Sequence, residues 1–137
     1  MQCSQLTKIG CGIIIKNQDQ ILFGKRKGSY GAGTWALPGG HLEYQEKLID
    51  AAKRELKEEL DIHADDLRIV AISDDLGQRH YIHVTFLLNG YEGPIKLVEP
   101  DKCEEWKFFS IHDLPQPLFH PHQKILQTFL SQEVYMA

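Results

Sequence analysis

Residues 45–60 constrain the fold of this chain most strongly, because they contain neither glycine nor proline and consist mainly of strong helix formers. At about 100° per residue, Ile49, Ala52, Leu56 and Leu60 fall within an arc of about 80°. This spacing predicts an amphipathic helix that buries one face. The other elements must therefore provide an apolar surface for it.

Short β-branched or aromatic runs on both sides of this helix predict strands. They are residues 9–16, 21–26, 35–37, 67–73, 80–88 and 106–109. The first two flank a turn at 17–20 and are expected to form a hairpin. Residues 28–34 hold three glycines and are expected to form a loop, whereas Pro38-Gly39-Gly40 should end the short third strand. Pro121 is expected to open a second helix. This mixed order predicts an α/β (α+β) fold rather than a regular βαβ repeat.

Length and composition narrow the possible classes of protein. The 137 residues predict one domain over 1–137. No apolar run approaches the roughly 18 residues of a membrane span, and the first ten residues lack a secretory pattern. We therefore expect no membrane partner. A net charge of −4 makes a nucleic acid polymer a poor partner.

The cysteines predict the compartment. Cys3, Cys11 and Cys103 are an odd number and contain no CxxC pair. Such usage is typical of reduced thiols, and we expect a cytoplasmic protein.

The predicted helix carries three carboxylates, Glu55, Glu58 and Glu59, near its C-terminal end. Like charges at this spacing cost roughly 0.2–0.5 kcal/mol per pair, and the helix dipole disfavours anions there. A bound cation such as Mg²⁺, which prefers oxygen ligands, would offset both effects. The alternative is a solvated acidic face neutralised by neighbouring lysine and arginine side chains.

The residues before the helix favour the cation site. Lys25, Arg26 and Lys27 come first and are followed by the glycine-rich loop. A Gly-Gly turn then leads into the helix. Cations, free backbone N–H groups and clustered carboxylates are the components of a phosphoryl-transfer site.

Residues 40–62 resemble the Nudix box, G-x5-E-x7-R-E-U-x-E-E-x-G-U, in which U is a bulky aliphatic residue. The matching positions are Gly40, Glu46, Arg54, Glu55, Leu56, Glu58, Glu59 and Ile62. Asp61 stands where the pattern has glycine; aspartate also adopts left-handed geometry, though less readily. Residues 24–43, 99–106 and 114–119 are similar to a MutT-like subgroup of Nudix hydrolases. A human diphosphatase of thiopurine nucleotides and a plant cytosolic enzyme belong to that subgroup.

The resemblance implies a Nudix-type α/β/α sandwich with a mixed central sheet and a carboxylate-bearing helix. It also implies a metal site for Mg²⁺, or Mn²⁺ in its place. Its ligands would be Glu55 and Glu59, with Glu58 near the same cluster and the backbone carbonyl of Gly39. Glu55 would also orient or deprotonate the attacking water, and Arg54 would orient the carboxylates.

The resemblance leaves two further assignments open. A later glutamate supplies the base in some family members, and Glu99 and Glu104 are the candidates here. The substrate-binding residues that it implies are Arg26, Gly40, His41, Thr85 and Phe119. The subgroup has Trp at position 120 and Leu at position 122, where this chain has His120 and His122. The nucleobase that the protein prefers in its substrate therefore stays open.

The activity implied is Mg²⁺-dependent hydrolysis of (deoxy)nucleoside triphosphates, including oxidised or modified ones, to a nucleoside monophosphate and pyrophosphate. The alternative is a Nudix hydrolase acting on another nucleoside-diphosphate-linked substrate or on an isoprenoid diphosphate. A domain that only binds nucleotides is disfavoured, because such domains usually lose the box glutamates. The resemblance further implies a homodimer.

Overall fold

The computed structural model describes residues 5–28 and 30–137; Cys3 and residue 29 of the predicted glycine loop lie outside the described residues. The elements are β1 (Lys8–Asn17), β2 (Gln20–Arg26), β3 (Trp35–Ala36), β4 (Gly39–His41), α1 (Leu48–Leu60), β5 (Leu67–Leu76), β6 (His80–Leu88), β7 (Cys103–Ser110) and α2 (His120–Leu130).

The strands form one mixed sheet with the order β3-β2-β1-β6-β5, in which β4 also pairs with β1 and β7 with β2. β1 and β6 run parallel, and the other pairs are antiparallel. The predicted β1–β2 hairpin is confirmed, with Asn17 opposite Gln20. β5 and β7 are longer than predicted, since they extend to Leu76 and begin at Cys103.

The two helices cover opposite faces of this sheet. Ile13 and Ile15 of β1 belong to a buried cluster with Leu56 of α1, whereas Ile14 belongs to a second cluster with Ile125 of α2. Successive side chains of a strand point to opposite faces, so β1 has a helix on either side. This burial on both faces explains the continuous apolar run of β1. The predicted α/β/α sandwich with a mixed sheet is confirmed.

The Gly39-Gly40 pair follows the end of the short third strand, as predicted, but it also belongs to a strand that was not predicted. Gly39–His41 forms β4, which pairs with β1 so that Gly39 lies opposite Gly12 and Gly40 opposite Cys11. A Cβ at Gly39 would overlap the carbonyl oxygen of Cys11, so only glycine allows this approach of the two backbones. The strand is hard to predict because glycine is depleted from strands.

α1 begins at Leu48, three residues later than predicted, and Gln45 has a positive φ of 61°. Three of the four predicted stripe residues are fully buried, but Ile49 is 36% exposed and its assignment to the core was wrong. Leu48 and Ala51 lie on the buried side instead. The stripe therefore follows the i, i+3, i+4 spacing from Leu48 and leaves Ile49 at its edge.

Asp61 ends α1 in left-handed geometry, with φ 54° and ψ 43°. Its carboxylate pairs with Lys57 and, at 3.0 Å, with Lys96, and these hydrogen bonds lower the pKa of Asp61. The ion pairs offset part of the cost of a non-glycine residue in this conformation.

Candidate active site

Two of the α1 carboxylates, those of Glu55 and Glu59, face β4. Glu55 is buried, Glu59 is partly buried and Glu58 is exposed. The backbone N–H of Gly39 donates a hydrogen bond to Glu59 Oε1 at 2.8 Å. A Cβ at Gly40 would overlap the carboxylate of Glu55. The glycine turn and the helix thus form one site, in which Gly39 donates to one carboxylate and Gly40 leaves room for the other.

Arg54 organises the acidic side chains around it. Its Nε and Nη2 donate to the Glu46 carboxylate at 2.8 and 3.0 Å, and its Nη1 donates to Glu55 at 2.9 Å and to Glu58 at 3.4 Å. Its Nη2 also donates to the carbonyl oxygen of His41 at 2.9 Å. The guanidinium therefore links these carboxylates to the backbone of β4.

Burial raises the pKa of Glu59 well above its usual range, and the charge of Glu55 raises this pKa further. The hydrogen bond from Gly39 acts in the opposite direction. Burial is also the main cause that raises the pKa of Glu55, against the hydrogen bond from Arg54. Two carboxylates in this situation resist ionising together. A divalent cation between them would offset both effects, so the donor set fits a hard metal ion.

Side chains alone do not complete such a site. Across residues 5–28 and 30–137, no group of three or more His, Cys, Asp or Glu side chains is placed so as to hold a metal ion. Mg²⁺ usually retains several waters and takes phosphate oxygens from the substrate, so one or two carboxylates and a carbonyl suffice.

The carboxylates line a cleft of about 590 Å³ that also contains cationic side chains. Arg26, Lys27 and Lys102 lie along the same cleft as Glu55, Glu58 and Glu59. Such a lining suits a polyphosphate with its metal ion, because the cationic side chains complement the phosphates and the carboxylates complement the metal ion. A second groove of about 560 Å³, along residues 111–118 and Gln123, lacks such a set of charges.

Arg26 and Phe119, which are far apart in sequence, are brought together. The Arg26 guanidinium carbon lies 4.2 Å from the centre of the Phe119 ring, and Nε donates to the carbonyl oxygen of Tyr30 at 2.9 Å. Phe119 also packs edge-on against Tyr30 and His122. The ring thus holds the arginine at the rim of the cleft.

His41 lines the cleft together with Glu55. Its Nε2 lies 3.2 Å from the Tyr81 hydroxyl. Burial lowers the pKa of His41, and the charges of Lys8 and Arg79 lower it further. Tyr81 was not predicted as a site residue, because a tyrosine in a strand gives no local signal of such a contact.

Thr85 lies away from the carboxylates, on the α2 face of β6, and is fully buried. Among the described residues its hydroxyl has no hydrogen-bond partner, and the same is true of Ser73 Oγ and His83 Nε2. Ser73 lies directly opposite His83 across β5 and β6. Sequence reasoning missed Ser73 and His83, because their meeting depends on strand register.

Glu99 and Glu104 are placed differently. Glu99 lines the cleft with the α1 carboxylates and lies 3.5 Å from Lys102. Glu104 pairs with Lys25 at 3.4 Å and is not among the residues that line the cleft. Of the two later glutamates, Glu99 is therefore the one beside the site.

Within the described ranges, no helix has both the length and the apolar character needed to cross a membrane.

Comparison with known proteins gives a consistent family. Residues 6–129 match the model of the NUDIX domain. The chain is 35% identical to the ADP-ribose pyrophosphatase of Methanocaldococcus jannaschii over 120 residues, which cover 85% of this chain and 69% of the relative. It is 29% identical to the oxidized purine nucleoside triphosphate hydrolase of Danio rerio over 108 residues, which cover 75% of this chain and 66% of the relative. The chain thus spans about two thirds of each relative.

The solved structure of a MutT NUDIX hydrolase from Burkholderia pseudomallei matches with a TM-score of 0.85 and 33% identity, over 90% of this chain and 98% of the other. The sequence match contains the glycine turn, the carboxylate helix and the strands that line the cleft. The chain therefore belongs to the Nudix family and is a Nudix pyrophosphohydrolase.

Proposed function

We propose that this protein hydrolyses (deoxy)nucleoside triphosphates, including oxidised or modified ones, to a nucleoside monophosphate and pyrophosphate. The observation that carries the proposal is the cleft, in which the three carboxylates of α1 lie beside Arg26, Lys27 and Lys102. A polyphosphate chain with a divalent cation matches this division of charge. The Danio rerio relative, an oxidized purine nucleoside triphosphate hydrolase, supports the triphosphate class.

Mg²⁺, or Mn²⁺ in its place, is the proposed cofactor. The residues that would hold it are Glu55, Glu59 and the carbonyl of Gly39, with Glu58 near the same cluster. When bound, such an ion neutralises phosphate charge and lowers the pKa of water. The raised pKa of Glu55 and Glu59 supports the assignment, because a cation supplies the positive charge that these carboxylates lack.

Hydrolysis requires a water oxygen to attack phosphorus while the bond to the departing pyrophosphate breaks. A carboxylate must take the proton of the water, and we assign this role to Glu55, with Glu99 as the alternative in the same cleft. Arg54 orients Glu55 and Glu58 through its hydrogen bonds. Arg26 would bind the phosphates, since its planar fork suits their oxygens.

Gly40 and His41 would contact the phosphates or the sugar from β4, and Phe119 and Thr85 would bind the base. The Phe119 ring lies against the Arg26 guanidinium, whose central carbon is 4.2 Å from the ring centre. The hydroxyl of Thr85 lies with Ser73 Oγ among buried polar atoms that have no partner in the described part of the chain. Buried polar atoms in this state favour a polar ligand group. Because Thr85 is fully buried, a base would reach it only after the neighbouring side chains move.

ADP-ribose is a second candidate substrate. The 35% identity to an ADP-ribose pyrophosphatase favours it. The same carboxylates and cations would serve, since the scissile bond also joins two phosphates. The products separate the two proposals: AMP and ribose 5-phosphate from ADP-ribose, or pyrophosphate from a triphosphate.

The test is product analysis with Mg²⁺ across the eight common nucleoside triphosphates, 8-oxo-dGTP, ADP-ribose, dinucleoside polyphosphates and isoprenoid diphosphates. We expect pyrophosphate from one group of triphosphates. A preference for damaged nucleotides requires a higher kcat/KM for 8-oxo-dGTP than for dGTP. Turnover of ADP-ribose or of an isoprenoid diphosphate, with none of triphosphates, would contradict the first proposal and retain the metal site.

Variants of the α1 carboxylates test the proposed metal site. Glu55→Gln and Glu59→Gln should each lower turnover about 100-fold or more, a loss expected when a group of the reacting site is removed. Glu92→Gln changes an exposed glutamate outside the cleft and should leave turnover unchanged. If Glu59→Gln stayed near the wild-type rate at saturating Mg²⁺, the metal assignment would be wrong.

We also propose a cytoplasmic location and a homodimer. Cys11 and Cys103 are buried free thiols, which is typical of a reducing compartment. The homodimer rests on the resemblance to the subgroup, and sedimentation equilibrium tests it: a monomer at micromolar concentration would contradict it.

A further inference from the structure

We infer that His122 is a positioning residue that holds the backbone of residues 37–39 in place for the metal site. The 37–39 segment joins β3 to β4 and includes Gly39, whose carbonyl is a proposed metal ligand. The inference rests on the proposed function for the role of that carbonyl. The hydrogen bonds that carry it are independent of the substrate.

The contact lies between two elements far apart in the chain. The backbone N–H of Leu37 donates to Nδ1 of His122 at 3.0 Å, and the two residues are 85 positions apart. His122 lies in the first turn of α2 and is 9% exposed, while Leu37 is 4% exposed. A buried backbone N–H needs an acceptor, and this imidazole supplies it.

Each residue of the 37–39 segment has one such contact. Leu37 donates to His122, the Pro38 carbonyl accepts from Ile13 N–H at 2.9 Å, and Gly39 donates to Glu59 at 2.8 Å. Proline has no N–H, so the segment has two backbone donors. The Leu37 N–H donates to α2 and the Gly39 N–H donates to α1, so the segment is held from both sides of the sheet.

The role of His122 differs from that of its apolar neighbours. Ile125 and Leu126 of α2 already pack in the core cluster that contains Leu37. Trp35 N–H donates to the carbonyl oxygen of Pro117, so β3 is also attached to the α2 side without His122. The contribution that belongs to the histidine is the acceptor for Leu37, two residues before Gly39.

The imidazole must be neutral for this contact, with its proton on Nε2. Burial lowers the pKa of His122 to about 3, and the charges of His83 and Arg26 act in the same direction. The acceptor is therefore present throughout the neutral pH range.

The first experiment compares His122→Leu with His122→Asn. Leucine fills similar space without an acceptor, whereas asparagine carries an oxygen on Cγ, where histidine carries Nδ1. His112→Leu, at an exposed position outside both helices, is the matched control. Mn²⁺ binding without nucleotide is measured by calorimetry, and the exchange of the Leu37 amide by NMR.

We expect His122→Leu to weaken Mn²⁺ binding about tenfold, as is typical for a group that orients a ligand, and to speed exchange of the Leu37 amide. kcat should fall more than the KM for nucleotide changes. His122→Asn should restore slow exchange and most of the Mn²⁺ affinity, and His112→Leu should match the wild type. Unchanged Mn²⁺ affinity in His122→Leu, or no rescue by asparagine, would overturn the inference.

A second measurement needs no variant, in case His122→Leu does not fold. Long-range ¹H–¹⁵N spectra of the wild-type protein report which ring nitrogen carries the proton. We expect Nδ1 of His122 to be unprotonated and Nε2 to be protonated; the opposite tautomer would overturn the inference. Neither this measurement nor the Mn²⁺ titration uses a nucleotide. A wild-type protein inactive on every triphosphate would therefore contradict the proposed function and leave the inference testable.

Discussion

The backbone N–H of Gly39 donates to the Glu59 carboxylate at 2.8 Å, which joins β4 to α1 across 20 residues of sequence. The partner of this N–H is a partly buried acid whose pKa is raised by burial. The backbone of Gly39, whose carbonyl is a proposed metal ligand, thus also supplies the hydrogen bond that holds the Glu59 side chain beside β4. The stability of this contact depends on the charge of the carboxyl.

Glu59→Gln should stabilise the metal-free fold more as pH rises. The pKa of Glu59 is raised in the folded state, so the stability that its protonated form contributes is complete below the unfolded pKa of about 4.3. That stability is lost as pH rises through the folded pKa. Glutamine keeps an acceptor for Gly39 without the charge. Tm measured in EDTA from pH 4 to pH 8 should show a gap between variant and wild type that widens with pH; a constant gap would contradict the burial of a charged carboxylate.

Gly40→Ala should reduce activity more than stability. The added methyl group overlaps the Glu55 carboxylate, which can rotate away, so the fold survives while the carboxylate is displaced. We expect kcat to fall about 10- to 100-fold, the range found when the support of a metal ligand is lost. Gly90→Ala is the control, because no heavy atom lies within 4 Å of its Cβ position. Equal kcat in both variants would show that Glu55 does not need its present position.

Arg54→Lys should impair catalysis although the charge is retained. Lysine cannot reproduce the fork that contacts Glu46 with two nitrogens and still reaches Glu55 and Glu58. We expect kcat/KM to fall about 10- to 100-fold, with a higher Mg²⁺ concentration needed for half-maximal rate. Arg68→Lys, on the exposed side of β5, is the comparison. A wild-type Mg²⁺ dependence in Arg54→Lys would remove the orienting role.

Leu56→Ala should destabilise the fold by about 2–5 kcal/mol, the range for deleting a large buried aliphatic side chain. Leu56 is fully buried in the cluster between α1 and the sheet. Urea unfolding followed by circular dichroism gives the free energy of unfolding. Leu76→Ala, at a position 76% exposed, should change it little. A small effect at Leu56 would mean that the α1 face of the core can collapse around the missing side chain.

Thr85→Val should leave stability unchanged or raise it, because valine replaces a buried hydroxyl that has no partner in the described residues with a methyl group of similar size. If the hydroxyl contacts the base, the ratio of kcat/KM between nucleotides should change while Mg²⁺ dependence does not. Thermal unfolding and the nucleotide panel measure the two effects. Identical nucleotide ratios would contradict the assignment of Thr85 to base binding.

The sequence alone determined the carboxylate helix. Arg54, Glu55, Glu58 and Glu59 lie within six residues, and the 3.6-residue repeat of a helix is enough to place them together. The same local rule explains why the stripe of α1 was predictable apart from Ile49 at its edge. The left-handed residue at the end of α1 was expected from the resemblance, because the family pattern has glycine where this chain has Asp61.

Tertiary structure alone decided which residues far apart in the sequence are in contact. Arg26 meets Phe119, and Leu37 meets His122, because β3 pairs with β2 and also contacts the 117–119 stretch that leads into α2. Ser73 meets His83 because of the register between β5 and β6. Contacts within a helix depend on local geometry that every helix shares, whereas these contacts depend on which strands pair and in which register. Those pairings are decided by the packing of the whole core, and no short segment of the sequence predicts them by itself.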